Sequence, residues 1–118
     1  ITVHINPLPT ITLGSNPSIC QGITSADLTY SATTGSPNQY SLDYSASANV
    51  AGFIDVSDAL LPVSPIAMTV PGAVAPSNYD GILTVKNTAT GCISNTLTVS
   101  VLVNPIPTIS LGSNPSIC

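Results

Sequence analysis

Three cysteines are the side chains with the most distinctive chemistry in this 118-residue sequence. Cys20, Cys92 and Cys118 can pair as disulfides or remain as free thiols. An odd number of cysteines always leaves one without a partner inside the chain. Whether the third cysteine has a partner depends on the repeat organisation of the sequence.

Other candidates for chemistry are few. His4 is the single histidine, and no partner lies at the spacing of a metal ligand. Calcium needs six to eight oxygen ligands, but the sequence has no Glu and no Asp/Asn-x-Asp-Gly pattern. No nucleophile motif, phosphate loop or carboxylate pair is present. We therefore predict no enzyme activity, no cofactor and no metal, and expect solvated loop positions for the aspartates Asp43, Asp55, Asp58 and Asp80.

The two ends of the sequence are copies of each other. Residues 1–20 match residues 99–118 at fourteen of twenty positions, with a constant offset of 98 residues. A 98-residue period is too long for solenoid repeats and fits an immunoglobulin-like sandwich of about 100 residues. The sequence therefore predicts one complete repeat with parts of its two neighbours.

The composition favours an extracellular protein. Ser and Thr number thirty, whereas Lys and Arg together number one. A hydrophobic content of 43% separates the chain from disordered proteins of low hydropathy. A net charge of −4 excludes nucleic acid and anionic membrane surfaces as partners. The longest apolar stretch, residues 59–75, contains three prolines and is too short to span a bilayer.

The repeat period gives each unit two cysteines, because Cys118 is the next unit's copy of Cys20. In an oxidising compartment we expect Cys20 and Cys92 to form an intradomain disulfide, and Cys118 to pair in the same way within the next repeat. Closing so long a loop would stabilise the fold by about 4 kcal/mol. Free buried thiols are the alternative.

Alternation of apolar and polar residues predicts the strands. It is clearest over residues 97–103 and 79–86, and it recurs over 28–33 and 40–45. Shorter candidates are 11–13, 51–56 and 66–70. These make about seven strands and no helix. We predict an all-β fold, an immunoglobulin-like antiparallel β-sandwich with the strand count of a constant-type domain.

Two further side chains gain meaning from these strands. Tyr79 follows Pro76 and precedes a core strand, which is typical of a tyrosine corner, where the hydroxyl bonds back to the backbone. Lys86, the only cation, could cross-link to an Asn as in some surface sandwiches. Alternation places it opposite Leu83 and Val85, however, so we expect a solvated lysine.

Prolines mark the boundaries of the repeat. Each copy of the joint holds an Asn and two prolines, which favour a short, stiff, extended linker. We predict that residues 1–7 end the preceding repeat, 8–105 form a complete repeat and 106–118 begin the next. The linker residues are Asn6, Pro7, Pro9, Asn104, Pro105 and Pro107.

The motifs NPxPTIxLGSNPSIC, SPIAMTVPG and YDGILTVKNTATGC resemble the tandem repeats of very large surface adhesins of Bacteroidota. Those proteins resemble immunoglobulin-like and PKD-like arrays, are exported by the type IX secretion system and include gliding-motility adhesins. The resemblance implies an extracellular structural or adhesive role and no catalytic residues.

The expected function is a structural repeat of an adhesin stalk or filament. Its partners would be adjacent repeats, with lateral packing of neighbouring chains. The first alternative is a binding module that recognises a glycan or protein through its end loops. The second is noncovalent assembly by strand donation, although a donated strand would not need a second copy of the same cysteine-bearing segment.

Overall fold

The computed structural model describes residues 1–118 and confirms the all-β class. It contains ten strands and one short helix. In chain order these are β1 (Thr10–Leu13), β2 (Ser18–Cys20), β3 (Ser25–Leu28), β4 (Tyr30–Thr34), β5 (Gln39–Tyr44), α1 (Ala46–Ala51), β6 (Val56–Leu60), β7 (Ile66–Thr69), β8 (Ser77–Asn87), β9 (Cys92–Ile93) and β10 (Leu97–Asn104).

The strands form two layers. The larger sheet has the order β2-β10-β8-β5-β6, with β9 on β8, and only β2 and β10 run parallel. The second layer consists of two antiparallel pairs, β1-β4 and β3-β7. The chain joins these two pairs directly, because only Thr29 separates β3 from β4. Side chains of both layers meet in one hydrophobic core of 17 buried residues.

The long strands show the predicted alternation. In β8 the buried positions are Tyr79, Gly81, Leu83 and Val85, while the residues that alternate with them are exposed or half-buried. In β10 the buried residues are Val99, Val101 and Val103. Because successive side chains on a strand point to opposite faces, each strand contributes a continuous apolar row to the core.

The first strand changes sheet halfway along its length. β1 pairs with β4 in the smaller layer, and β2 pairs with β10 in the larger one. Between them, Gly14 N–H donates to Thr29 O at 2.7 Å, and Leu102 N–H donates to the carbonyl oxygen of the buried Pro17 at 3.0 Å. The segment 10–20 thus closes one edge of both layers.

One predicted strand, residues 51–56, is wrong. Helix α1 ends at Ala51, residues 52–55 are irregular, and β6 starts only at Val56. Ser45 caps the helix by accepting a hydrogen bond from Ala48 N–H at 3.2 Å, and Gly52 ends it at φ 112°. Phe53 then enters the core between the rings of Tyr44 and Tyr79, with centroids 5.0 and 4.9 Å away.

Strand β6 also departs from the arrangement of a constant-type sandwich, where it would be the fourth strand. β6 pairs with β5 and so extends the larger sheet, whereas the constant type places this strand in the opposite sheet. The smaller layer consequently ends at β7, and a cleft opens between β6 and β7.

Candidate functional site

The chain enters the sandwich at one end and leaves it at the other. We call the first the entry end, defined by Pro9, Gly35 and Asn87, and the second the exit end, defined by Ser77 and Asn104. Asn87 Nδ2 donates to Gly35 O at 2.9 Å, which fixes the entry end. Val103 pairs with Ser77 immediately before Asn104, which fixes the exit end. Strand β8 connects the two, so they lie about 33 Å apart at 3.3 Å per residue.

The linker residues that the sequence singled out lie at these two ends. Pro9 is fully buried at the entry end, where it touches the backbone of Gly35, while Pro7 is exposed and Asn6 half-buried. Asn104 is bound at the exit end, where its Nδ2 donates to Ser18 Oγ at 2.8 Å and Ile19 O at 3.2 Å. Pro105 and Pro107 follow it and are exposed. Every strand lies between Thr10 and Asn104.

The predicted disulfide between Cys20 and Cys92 is wrong in this fold. Cys20 pairs with Asn104 at the exit end, whereas Cys92 pairs with Asn87 at the entry end. Their Cα atoms are therefore about 30 Å apart, and a disulfide requires less than about 7 Å. All three thiols are free. The sheet switch carries Cys20 to the exit end, and the β8-β9 hairpin keeps Cys92 at the entry end.

The same geometry corrects the expectation for Cys118. Because Cys118 is the copy of Cys20, pairing it inside the next repeat would require the same separation to close. Here Cys118 is exposed at the end of residues 105–118, which form no strand or helix.

Tyr79 makes the contact that a tyrosine corner requires. Its hydroxyl donates to Ala75 O, four residues upstream, at 2.5 Å. Its ring is buried against Phe53. The side chain thus ties the start of β8 to the loop before it, which is a structural contact.

Three of the aspartates accept hydrogen bonds from neighbouring backbone and side-chain groups. Asp55 Oδ1 accepts hydrogen bonds from Asn49 Nδ2 at 3.0 Å and from Tyr44 N–H at 2.9 Å, and these two bonds hold the pKa of Asp55 below its usual value. Asp58 lies beside Ser41, and Asp80 bonds to Ser100. No three acidic, histidine or cysteine side chains come close enough to hold a metal ion.

The most enclosed concave surface is the cleft between the two layers. It has a volume of about 360 Å³ and spans from β5 and β6 to β7. Tyr44 lies in its wall, where burial first, and the nearby Tyr40 and Asp55 second, raise the pKa of Tyr44 to about 12. The apolar part of the lining comprises Tyr40, Leu42, Tyr44, Ile54, Val56, Ala67, Met68 and Pro71.

His4 and Lys86 stand apart from this cleft. His4 is exposed in the N-terminal segment, and Lys86 is half-buried on the same face of β8 as Thr84. Helix α1 has only six residues, so the fold offers no helix able to cross a bilayer. Searches against protein-family models, curated proteins and solved structures find no match to this chain.

Proposed function

We propose that this chain is a structural repeat of an extracellular bacterial adhesin stalk or filament, to which it gives length and stiffness, and that it has no enzymatic activity. Its partners are the adjacent repeats of the same polypeptide. The resemblance to large surface adhesins and the composition rich in Ser and Thr support an extracellular setting.

One observation carries the proposal: the chain enters the sandwich at one end and leaves it at the opposite end. The first strand starts at the entry end and the last strand finishes at the exit end, and a copy of the same linker lies at each. Repeats joined in this way continue in line, because each linker connects one repeat's exit end to the next repeat's entry end. Ends on the same side would have folded the array back on itself.

The linker is short and rich in proline, which favours a stiff connection between repeats. Three residues, 105–107, separate β10 from the copy of β1, and two of them are prolines with fixed φ. In the equivalent position, Pro9 is buried against Gly35, so part of the linker belongs to the rigid body that follows it. Little of the joint remains free to bend.

The outer face of the larger sheet supports lateral association. It presents the hydroxyls of Ser41, Thr84 and Thr98, together with the partly exposed Ile82 and Leu102. Only six side chains of Asp, Glu, Lys and Arg exist in the chain, but Asp43, Asp80 and Lys86 lie on this face, so contact with a neighbouring stalk must accommodate them.

Imaging of the parent protein tests the stalk. A repeat of about 33 Å joined by a linker of up to about 10 Å predicts beads spaced by roughly 40 Å along a fibre. Negative-stain or cryogenic electron micrographs would measure this spacing directly. Successive beads of one chain that fold back beside each other, or single globules, would contradict the proposal.

A second candidate function is a binding module, and the cleft favours it. Its volume of about 360 Å³ lies within the range of ligand sites, about 300–1,000 Å³, and two tyrosines line it. A glycan or peptide array probed with the chain and with Tyr40→Ala tests this candidate. Binding that the substitution abolishes supports a module, while the absence of binding favours the stalk.

A further inference from the structure

We propose that Cys20 of one repeat forms a disulfide with the cysteine equivalent to Cys92 in the following repeat, across the linker that joins them. This bond is different from the pairing within one repeat, which the fold excludes. It rests on the tandem array proposed above.

Cys20 lies where the chain leaves the sandwich. It is the last residue of β2 and pairs with Asn104, the last residue of β10. The next residue, Gln21, donates its N–H to Asn104 O at 2.8 Å. Cys20 is exposed, and it lies on the outer face of the larger sheet beside the point where the linker begins.

Cys92 lies where the chain enters the sandwich. It pairs with Asn87, whose side chain holds Gly35, and Gly35 packs against Pro9. In the following repeat Pro107 takes the place of Pro9. That repeat's copy of Cys92 therefore lies at the far end of the same linker, and at this position the side chain is partly exposed.

Within one repeat, the register of the larger sheet places the two cysteines at neighbouring strand positions but on opposite faces. Cys92 shares the inner face with Asn87, and Cys20 shares the outer face with Asn104. Lys86 pairs with β5 on one side and with β9 on the other, so β9 lies on the side of β8 that β10 occupies. Cys92 therefore lies beside β8 on the same side as β10, and Cys20 lies one strand further out, in β2. Neighbouring strands are about 4.8 Å apart, and three linker residues span at most about 10 Å.

Because the two thiols lie on opposite faces of the larger sheet, the bond requires the following repeat to be turned about the axis of the array and to lie closer than the full extension of the linker. A disulfide needs Cα atoms separated by about 4.4–6.8 Å. In a long array each inner repeat would use both of its cysteines, one with each neighbour. This explains why the repeat has one cysteine at each end and none in its core.

The chemistry is a thiol oxidation. One Sγ–Sγ bond forms, two S–H bonds break, and two protons leave. The two electrons pass to the disulfide of a thiol–disulfide oxidoreductase, which is reduced to a dithiol. In a test tube, oxidised glutathione takes the same role and is reduced to two molecules of glutathione.

A chain of two repeats tests the inference. It consists of residues 1–118 followed directly by a second copy of residues 21–105, which preserves the 98-residue period. After oxidation with glutathione disulfide, we expect one bond and a mass about 2 Da below that of the reduced chain. Alkylation and peptide mapping should find Cys20 joined to the second copy's equivalent of Cys92. The first copy's Cys92 and Cys118, at the two outer ends, should be alkylated.

Two matched substitutions provide the control. Cys20→Ser should abolish the bond, and Cys92→Ser in the first copy should leave it intact. Alkylation of all four thiols, or a bond between two cysteines of one repeat, would overturn the inference. Small-angle scattering of the reduced chain separates this failure from that of the stalk. An extended two-repeat shape retains the stalk without its disulfide, and a folded-back shape rejects both.

Discussion

Ile11 and Ile109 occupy the same place in two copies of one segment, yet 6% of the Ile11 surface is exposed and 81% of the Ile109 surface is. Ile11 lies in β1, where it pairs with Thr33 and packs into the core. Ile109 has almost the same sequence neighbours but forms no strand. The first copy is therefore ordered by the sandwich that receives it, and in the tandem array proposed above the following sandwich would do the same for the second copy.

Alanine substitutions at these two positions should have very different effects. Ile11→Ala removes buried methyl groups and leaves a cavity, so we expect it to lower the free energy of unfolding by about 2–4 kcal/mol. Ile109→Ala changes an exposed side chain and should alter it by less than about 0.5 kcal/mol. Chemical denaturation followed by circular dichroism measures both. Equal losses for the two variants would mean that residues 108–118 pack on another surface.

The same pair tests the array. In the two-repeat chain described above, the second sandwich would bury Ile109, so Ile109→Ala should now lower the stability of that repeat by about 2–4 kcal/mol. An unchanged stability would show that the second copy does not adopt the fold of the first.

Removal of the Tyr79 hydroxyl should weaken the fold without disturbing its core. Tyr79→Phe keeps the ring against Phe53 but leaves Ala75 O without its donor. A lost hydrogen bond of this kind costs about 1 kcal/mol. Tyr40→Phe, at a half-buried position, is the matched control and should change stability less. Thermal unfolding of the three proteins compares them, and equal melting temperatures would remove the structural role assigned to Tyr79.

Alkaline pH should destabilise the chain through Tyr44. Its pKa is about 12 in the folded state and about 10 in an unfolded chain. Between these values the unfolded state loses the proton first, so stability falls as pH rises from about 10 to about 12. Tyr44→Phe has no such proton and should show a smaller fall in melting temperature across this range. Parallel curves for both proteins would contradict the raised pKa.

The sequence predicts the strands whose alternation is long, and the structure explains why it fails elsewhere. β8 and β10 cross the whole sandwich, so many residues in each strand follow the same alternation of apolar and polar positions. Helix α1 has six residues and buries only Ala48, which leaves no helical period to detect. Its signals are the cap residues Ser45 and Gly52, which are present in the sequence but are also common in turns.

The positions of the cysteines could not be predicted from spacing. Cys20 and Cys92 are far apart in sequence, and the entropic cost of closing a loop grows only slowly with its length, so their separation does not indicate whether they meet. Only the register decides, because it aligns Cys20 with Asn104 and Cys92 with Asn87. That register depends on the sheet switch at Gly14–Pro17, and alternation contains no information about which sheet a short strand joins.

The packing of Gly35 against Pro9 should control how firmly the linker is held. Gly35 has φ 73°, and a Cβ added there would lie 2.7 Å from the backbone atom Pro9 Cα, a contact that no rotamer can relieve. Gly91 has nearly the same φ, 75°, but open space around it. Gly91→Ala should therefore cost only about 1 kcal/mol for the left-handed conformation. Gly35→Ala should cost clearly more and displace Pro9.

Denaturant unfolding compares the stability of the two variants, and scattering from the two-repeat chain carrying Gly35→Ala in its second copy should reveal a more flexible joint. If the two variants are equally stable and the joint is unchanged, Pro9 does not anchor the linker.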